Sequence, residues 1–218
     1  MNISIQQHTN FTSRNATIRR ADDIARLAKN AFPMISSSKI DTFKNASRFV
    51  GFLMKISREL NEERFRRSDK IDSHKSVAGK VFVLLESLKT KKLGNCAEHA
   101  EVALLAAKFN GIKKAYLASL ITPDKMPLDH CVILVEDEKP YVIDAWLGFA
   151  DYVPESIKRW QKEYNHMFDF EELKTEKINI IKRRETLYDS FLENDFPDFD
   201  EKVIKEIYSE LVFGGSKK

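Results

Sequence analysis

Gly94-Asn95-Cys96-Ala97-Glu98-His99-Ala100 runs on without a break into Glu101-Val-Ala-Leu-Leu-Ala-Ala-Lys-Phe109. Alanine and leucine crowd this stretch, so its helix propensity is high. Gly111 suits a C-cap, and Asn95 stands where an N-cap belongs. Cys96 therefore falls in the first helical turn. There, free backbone N–H groups and the positive end of the helix dipole favour a thiolate. Glu98 and Glu101, in the same opening turns, complement that dipole.

Two partners follow downstream. His130 opens the apolar run Cys131-Val-Ile-Leu-Val135, which reads as a buried strand. Glu136-Asp-Glu-Lys-Pro140 is a polar turn, and Tyr141-Val-Ile-Asp144-Ala-Trp146 is a second strand. A hairpin centred near Asp137 places His130 across from Asp144. Directly opposed side chains sit about 4.5–5.5 Å apart at Cβ and share a face. One hairpin thus delivers a histidine oriented by an aspartate, and one helix N-terminus delivers a cysteine. That is the nucleophile, base and orienter arrangement of thiol acyl-transfer enzymes.

At these residues the chain resembles the transglutaminase-like branch of the papain-like cysteine protease superfamily. The matching pieces are Gly94-Asn95-Cys96 opening an Ala/Leu-rich helix, Asn110-Gly111-Ile112 leading into a strand, Asp129-His130 starting another, and Val142-Ile-Asp144 closing the hairpin. The resemblance covers about residues 93–147. It implies an α+β fold with a papain-like/transglutaminase-like core, in which the Cys helix packs on a small antiparallel sheet. Extra N- and C-terminal helices surround that core. It also implies a cysteine-dependent amide hydrolase or acyl transferase, a protease or glutamine deamidase, with Cys96, His130 and Asp144 as the catalytic triad. The Cys96 backbone N–H and the Asn95 side chain are the candidate oxyanion donors. No cofactor is required.

Each residue alone has a plainer reading. A cysteine in an apolar helix is often a small hydrophobe, and Cys131 is read as inert core. A histidine on a strand is often a satisfied core residue. Together, on the elements the chemistry needs, the three favour catalysis. Cys96-x-x-His99 with His130-Cys131 offers four metal ligands by count. Consecutive strand residues point to opposite faces, however, so His130 and Cys131 do not easily share one ion. His99-Ala-Glu101 resembles half of a zinc-deaminase motif, but the chain has no Pro-Cys-x-x-Cys. His99 is read as a packing or surface residue, and Trp146 as a packing residue able to shield the His–Asp pair. The rival function is a catalytically inactive protein-binding module on the same scaffold.

Composition narrows the class further. Apolar residues make up 43% of the 218, enough for a core. Lys+Arg 36 against Asp+Glu 33 gives a net charge of +3, too small to suggest nucleic acid. Two cysteines make no disulfide framework, which favours a reducing compartment. Met1–His8 has neither a basic nor an apolar region of a Sec signal, and no apolar run approaches a membrane span. A cytoplasmic protein fits these features. So does one secreted into a host cell without a Sec signal, as a bacterial effector would be. The large helical shell favours a protein substrate; oligomeric state leaves no trace.

Outside the core, residues 1–15 are polar and read as a loose arm. Helices are expected over Thr17–Ala31, from Asp41 or Thr42 to about Arg67, from Val77 to about Leu88, and from Pro154 to about Tyr164. Arg64, Arg66 and Arg67 read as a solvated helix end, the alternative being a patch for phosphate or an acidic partner. Ser68–Ser76, containing His74, is a polar break that suggests a boundary between a helical region, 1–75, and a catalytic region, 76–218. A strand is expected at Ala115–Ile121 and a site-lining loop at Thr122–Asp129. A weak strand at Ile178–Ile181 and helices over Thr186–Leu192 and Glu201–Val212 complete the reading, with an acidic aromatic loop, Asn194–Asp200, between the two.

Overall fold

The computed structural model describes residues 4–31, 46–74, 76–121, 127–164 and 179–182, and positions 202, 205, 206, 208 and 209. The expected loop tip at 122–126, the helix at 186–192 and the acidic loop at 194–200 lie outside the described residues. The fold is α+β. In chain order the elements are α1 (Ser4–Ala31), α2 (Ala46–Ser73), α3 (Val77–Lys91), α4 (Cys96–Phe109), β1 (Ala115–Ile121), β2 (Pro127–Val135), β3 (Tyr141–Asp144), β4 (Phe149–Tyr152), α5 (Val153–Tyr164) and β5 (Asn179–Lys182). The strands form one antiparallel sheet in the order β4-β3-β2-β1-β5.

The sheet is covered on both faces, and residue alternation sorts the side chains between them. Leu117, Cys131, Ile133, Val135, Tyr141 and Ile143 join α1, α3 and α4 in the larger core cluster. Ala118, Leu120, Val132, Val142 and Phe149 join Trp160 of α5 in a smaller one. Burial on both faces explains why β1–β3 read as unbroken apolar runs. α4 is buried nearly all round, from Ala100 to Ala107, so it is the central helix.

Several expectations need correction. The expected loose arm is helical from Ser4: no Gly or Pro interrupts the chain before Pro33, so nothing stops the turn preceding Thr17. α2 runs on through Lys70 to Ser73 because Ile71 continues the buried stripe of Ile56, Leu60, Glu63 and Arg67. The polar break is therefore short, and His74 lies exposed at its start. α3 is capped at Ser76, whose Oγ accepts the Gly79 N–H at 3.1 Å. β2 starts at Pro127, three residues before His130, so part of the expected loop is strand. β3 ends at Asp144, a turn covers 145–148, and β4 follows; this fourth strand had no expectation of its own. Gly148, with φ of +80°, supplies the left-handed turn residue.

The hairpin register also differs. Val135 pairs with Tyr141 and Ile133 with Ile143, so the turn centres on Glu138 rather than Asp137. Pro140 has no N–H to give the ladder and stays in the turn. Moving the centre by one residue moves every partner by two, which keeps each side chain on its face. His130 and Asp144 thus become diagonal neighbours instead of direct partners.

Among the described residues, no helix is long and apolar enough to cross a membrane. Ile71 shares the core with α3 and α4 although it precedes residue 75. Ile71→Ala should cost about 2–5 kcal/mol in urea unfolding. Phe65→Ala, on an exposed face of the same helix, should stay within about 0.5 kcal/mol. Equally small losses would detach α2 from the core.

Candidate active site

α4 begins at Cys96 with Asn95 as its N-cap, as the propensity pattern requires. Glu98, at N3, accepts the Asn95 backbone N–H on Oε2 at 2.9 Å, the reciprocal half of a capping box. The His99 ring is fully buried, with Nδ1 donating to the Asn95 carbonyl at 2.9 Å, so of its two expected roles it takes packing. Cys96 keeps 9% of its surface exposed, against 1% for Cys131 in the sheet core. Both are buried thiols.

His130 reaches this helix because of an irregularity in β2. Ser119 pairs with Cys131, but Ile121 pairs with Pro127. Two residues of β1 therefore span four of β2, and His130 lies in the excess. Such bulges re-aim side chains. His130 also lies beyond the β2–β3 ladder, which starts at Ile133↔Ile143. At this end of the sheet the ring bridges the two layers. It meets Cys96 and Trp146 of the larger cluster and Trp160 of the smaller. The two indoles stand edge-on to it, at 5.5 and 6.3 Å between centroids.

Asp144 is fully buried and receives three N–H donors. His130 Nε2 lies 2.7 Å from Oδ2, and Trp160 Nε1 donates to the same oxygen at 2.8 Å. Leu147 N donates to Oδ1 at 2.9 Å. A carboxylate only accepts, so Nε2 must carry its proton. The neutral ring then keeps a lone pair on Nδ1, the nitrogen left for the sulfur. Cys96, His130 and Asp144 thus form one hydrogen-bonded chain.

The electrostatics follow from burial and pairing. Burial lowers the His130 pKa, but the Asp144 charge and hydrogen bond, and the Cys96 sulfur beside it, override that and raise it to about 10. Burial pushes the Asp144 carboxyl up, and His130, Leu147 N–H and Trp160 together hold it below its usual range. Glu98 is also desolvated. Arg64 binds it in a fork, at 2.6 and 2.8 Å, and Arg67 adds a contact at 3.2 Å. With these and the Asn95 N–H, its pKa falls to about 2.

Arg64 and Arg67 were expected on a solvated helix end. The structure turns them inward to Glu98, and only Arg66 stays exposed, beside Glu62 and Glu63. Glu98 and Glu101 are accordingly ion-paired groups and not merely complements of the dipole. No local signal announces a contact spanning 34 residues. Trp160 was also missed, yet a signal existed. Val153, Ile157 and Trp160 mark one apolar stripe on an otherwise polar helix. Among the described residues, no group of three or more His, Cys, Asp or Glu is placed to share a metal ion. No protein-family model, no curated protein and no solved structure matches the chain.

The charges of the pair set a pH dependence. A raised His130 pKa contributes stability in full below about 6.5, and that contribution is lost as pH climbs through about 10. A lowered Asp144 pKa contributes above about 3.8 and is lost as pH falls through its folded value. The urea midpoint should therefore fall from pH 6.5 to 10 more steeply in the wild type than in Asp144→Asn. Parallel profiles would mean that Asp144 does not hold the His130 charge.

Proposed function

We propose that this protein is a cysteine-dependent amide hydrolase or acyl transferase acting on a protein substrate, through a Cys96-His130-Asp144 triad on a transglutaminase-like scaffold. One observation carries the reading: the His130 ring is hydrogen-bonded to Asp144 through Nε2 and to Cys96 through its other side. Packing alone would not bring a helix-start cysteine, a strand histidine and a buried aspartate into one chain.

The steps follow from the donors and acceptors. Cys96 Sγ attacks the amide carbonyl carbon with its proton already held on His130 Nδ1, the protonated state that the raised His130 pKa favours near neutral pH. Asp144 holds the ring and balances the imidazolium. The carbonyl oxygen becomes an oxyanion, and the Cys96 backbone N–H, in the first turn of α4, is the candidate donor to it. Asn95 N–H is occupied by Glu98, so a second donor from Asn95 has to be its side chain. Collapse breaks the C–N bond, His130 protonates the leaving amine, and a thioester to Cys96 remains. Water, deprotonated by His130, then releases the acid and the thiol. A glutamine side chain releases ammonia by the same steps, and an amine in place of water gives a cross-link. Trp146 and Trp160 flank the ring and exclude water from the His–Asp bond.

Hydrolysis is the favoured outcome. Mass spectrometry of a treated substrate separates the cases: two fragments for cleavage, about one dalton gained for deamidation, about seventeen lost for a cross-link. Cys96→Ala and His130→Ala should abolish turnover, and Asp144→Asn should leave a residue of it. Turnover surviving in Cys96→Ala would sink the triad.

A substrate is not needed for the first test. Iodoacetamide near neutral pH should label Cys96 well ahead of Cys131, and His130→Ala should slow Cys96 specifically. Exposure alone predicts the first result but not the second. Labelling that ignores His130 would return the chain to the inactive-module reading.

A further inference from the structure

A carboxylate at Glu98 poses a problem for the nucleophile. The helix start favours negative charge on Cys96, yet Glu98 sits two residues on, and its Oε2 bonds the N–H of Asn95, the residue before Cys96. With its low pKa it stays charged at any neutral pH. Alone, it would occupy the positive end of the dipole and repel charge on the sulfur.

α2 cancels it. The Arg64 guanidinium lies across both Glu98 oxygens, Nε to Oε1 and Nη2 to Oε2. Arg67 Nη2 reaches Glu98 Oε1 at 3.2 Å and Glu101 Oε2 at 3.8 Å. Two buried carboxylates in the opening turns of α4 are thus matched by two guanidiniums from another helix. The surrounding charges have other partners. Glu63 of α2 accepts Ser87 Oγ–H and faces Arg66 and Lys91. His99 holds the Asn95 carbonyl. Cys96 itself is faced by His130 of β2, and His130 by Asp144 of β3.

We propose that Arg64 and Arg67 are positioning residues that neutralise the capping box of the nucleophile helix, so that Glu98 fixes the start of α4 without opposing negative charge on Cys96. This rests on the catalytic reading of Cys96 and explains why a helix outside the catalytic core reaches its first turn. A purely structural clamp would work equally well with any matched pair, so charge is the property to vary.

The test is the rate of Cys96 alkylation by iodoacetamide at pH 7, read by peptide mass spectrometry with Cys131 as the internal reference. Arg64→Gln exposes the Glu98 charge and should slow Cys96 roughly ten-fold. Glu98→Gln keeps a capping-box residue without its charge and should label at least as fast as wild type. The double variant R64Q/E98Q should recover most of the lost rate. A structural clamp predicts the opposite order, with both single variants and the double all slow. An unchanged rate in Arg64→Gln, or no recovery in the double variant, overturns the proposal. Should Arg64→Gln unfold by circular dichroism, Glu98→Gln decides alone, and slower labelling there is fatal. The catalytic reading fails separately, if wild-type Cys96 labels no faster than Cys131.

Discussion

The site depends on one buried charge. Asp144 has no solvent contact, and an ionised carboxylate in that position is costly unless its lone pairs are filled. Three donors fill them, from β2, from the turn after β3 and from α5. Leu147 N–H and Trp160 Nε1–H can only donate, and with His130 they hold the carboxyl below its usual range, which favours the ionised form. The ionised form is therefore built into the geometry. His130 inherits its tautomer from it, and through His130 the relation to Cys96 is set. Removing any donor leaves a buried acceptor short of a partner, a loss of about 1–3 kcal/mol or more for a charged group.

The same solution recurs at the start of α4. Glu98 is a second buried carboxylate, and it too is filled from separate elements: the Asn95 N–H, Arg64 and Arg67. One carboxylate orients the His130 ring and the other caps the helix that begins at Cys96. Neither is stabilised by its own element alone. Buried ion pairs add little net stability compared with apolar packing, but losing one partner costs about 3–5 kcal/mol. Such pairs therefore specify position more than they add stability, and position is what the proposed acyl transfer would require.

The sequence made the local parts legible and left the long-range ones dark. Helix propensity and the cap position located Cys96 at a helix start, because both act within a few residues. The alternating runs located β2 and β3, and parity kept His130 and Asp144 on one face despite the shifted turn. The exact diagonal pairing needed the ladder itself, since a five-residue connection does not fix its own register. β4 escaped notice because four residues after a turn carry little periodicity. Trp160 was readable as an apolar position but not as a donor to Asp144, sixteen residues away. Arg64 and Arg67 looked solvated because a charged helix end is normally exposed; only the approach of α4 turns them inward.

The N-terminal helices also bear on the site through the backbone of the Asp144 turn. Leu147 donates its N–H to Asp144 Oδ1, and its carbonyl accepts Lys29 Nζ of α1 at 2.9 Å. The Lys29 stem lies over Gly148, where a Cβ would come within 2.7 Å of Cδ. Gly148 is required by its positive φ, and the lysine stem would have to shift to admit a Cβ. Two turns back on the same face of α1, Asp22 accepts the Ala150 N–H of the edge strand β4 at 3.1 Å, which satisfies a donor that an edge otherwise leaves open. α1 therefore holds the turn that supplies a donor to Asp144, as α2 holds the cap of the helix that begins at Cys96. Each half of the site is braced by a helix preceding residue 75. The geometry of Cys96, His130 and Asp144 is in consequence a property of the N-terminal helices as much as of the sheet.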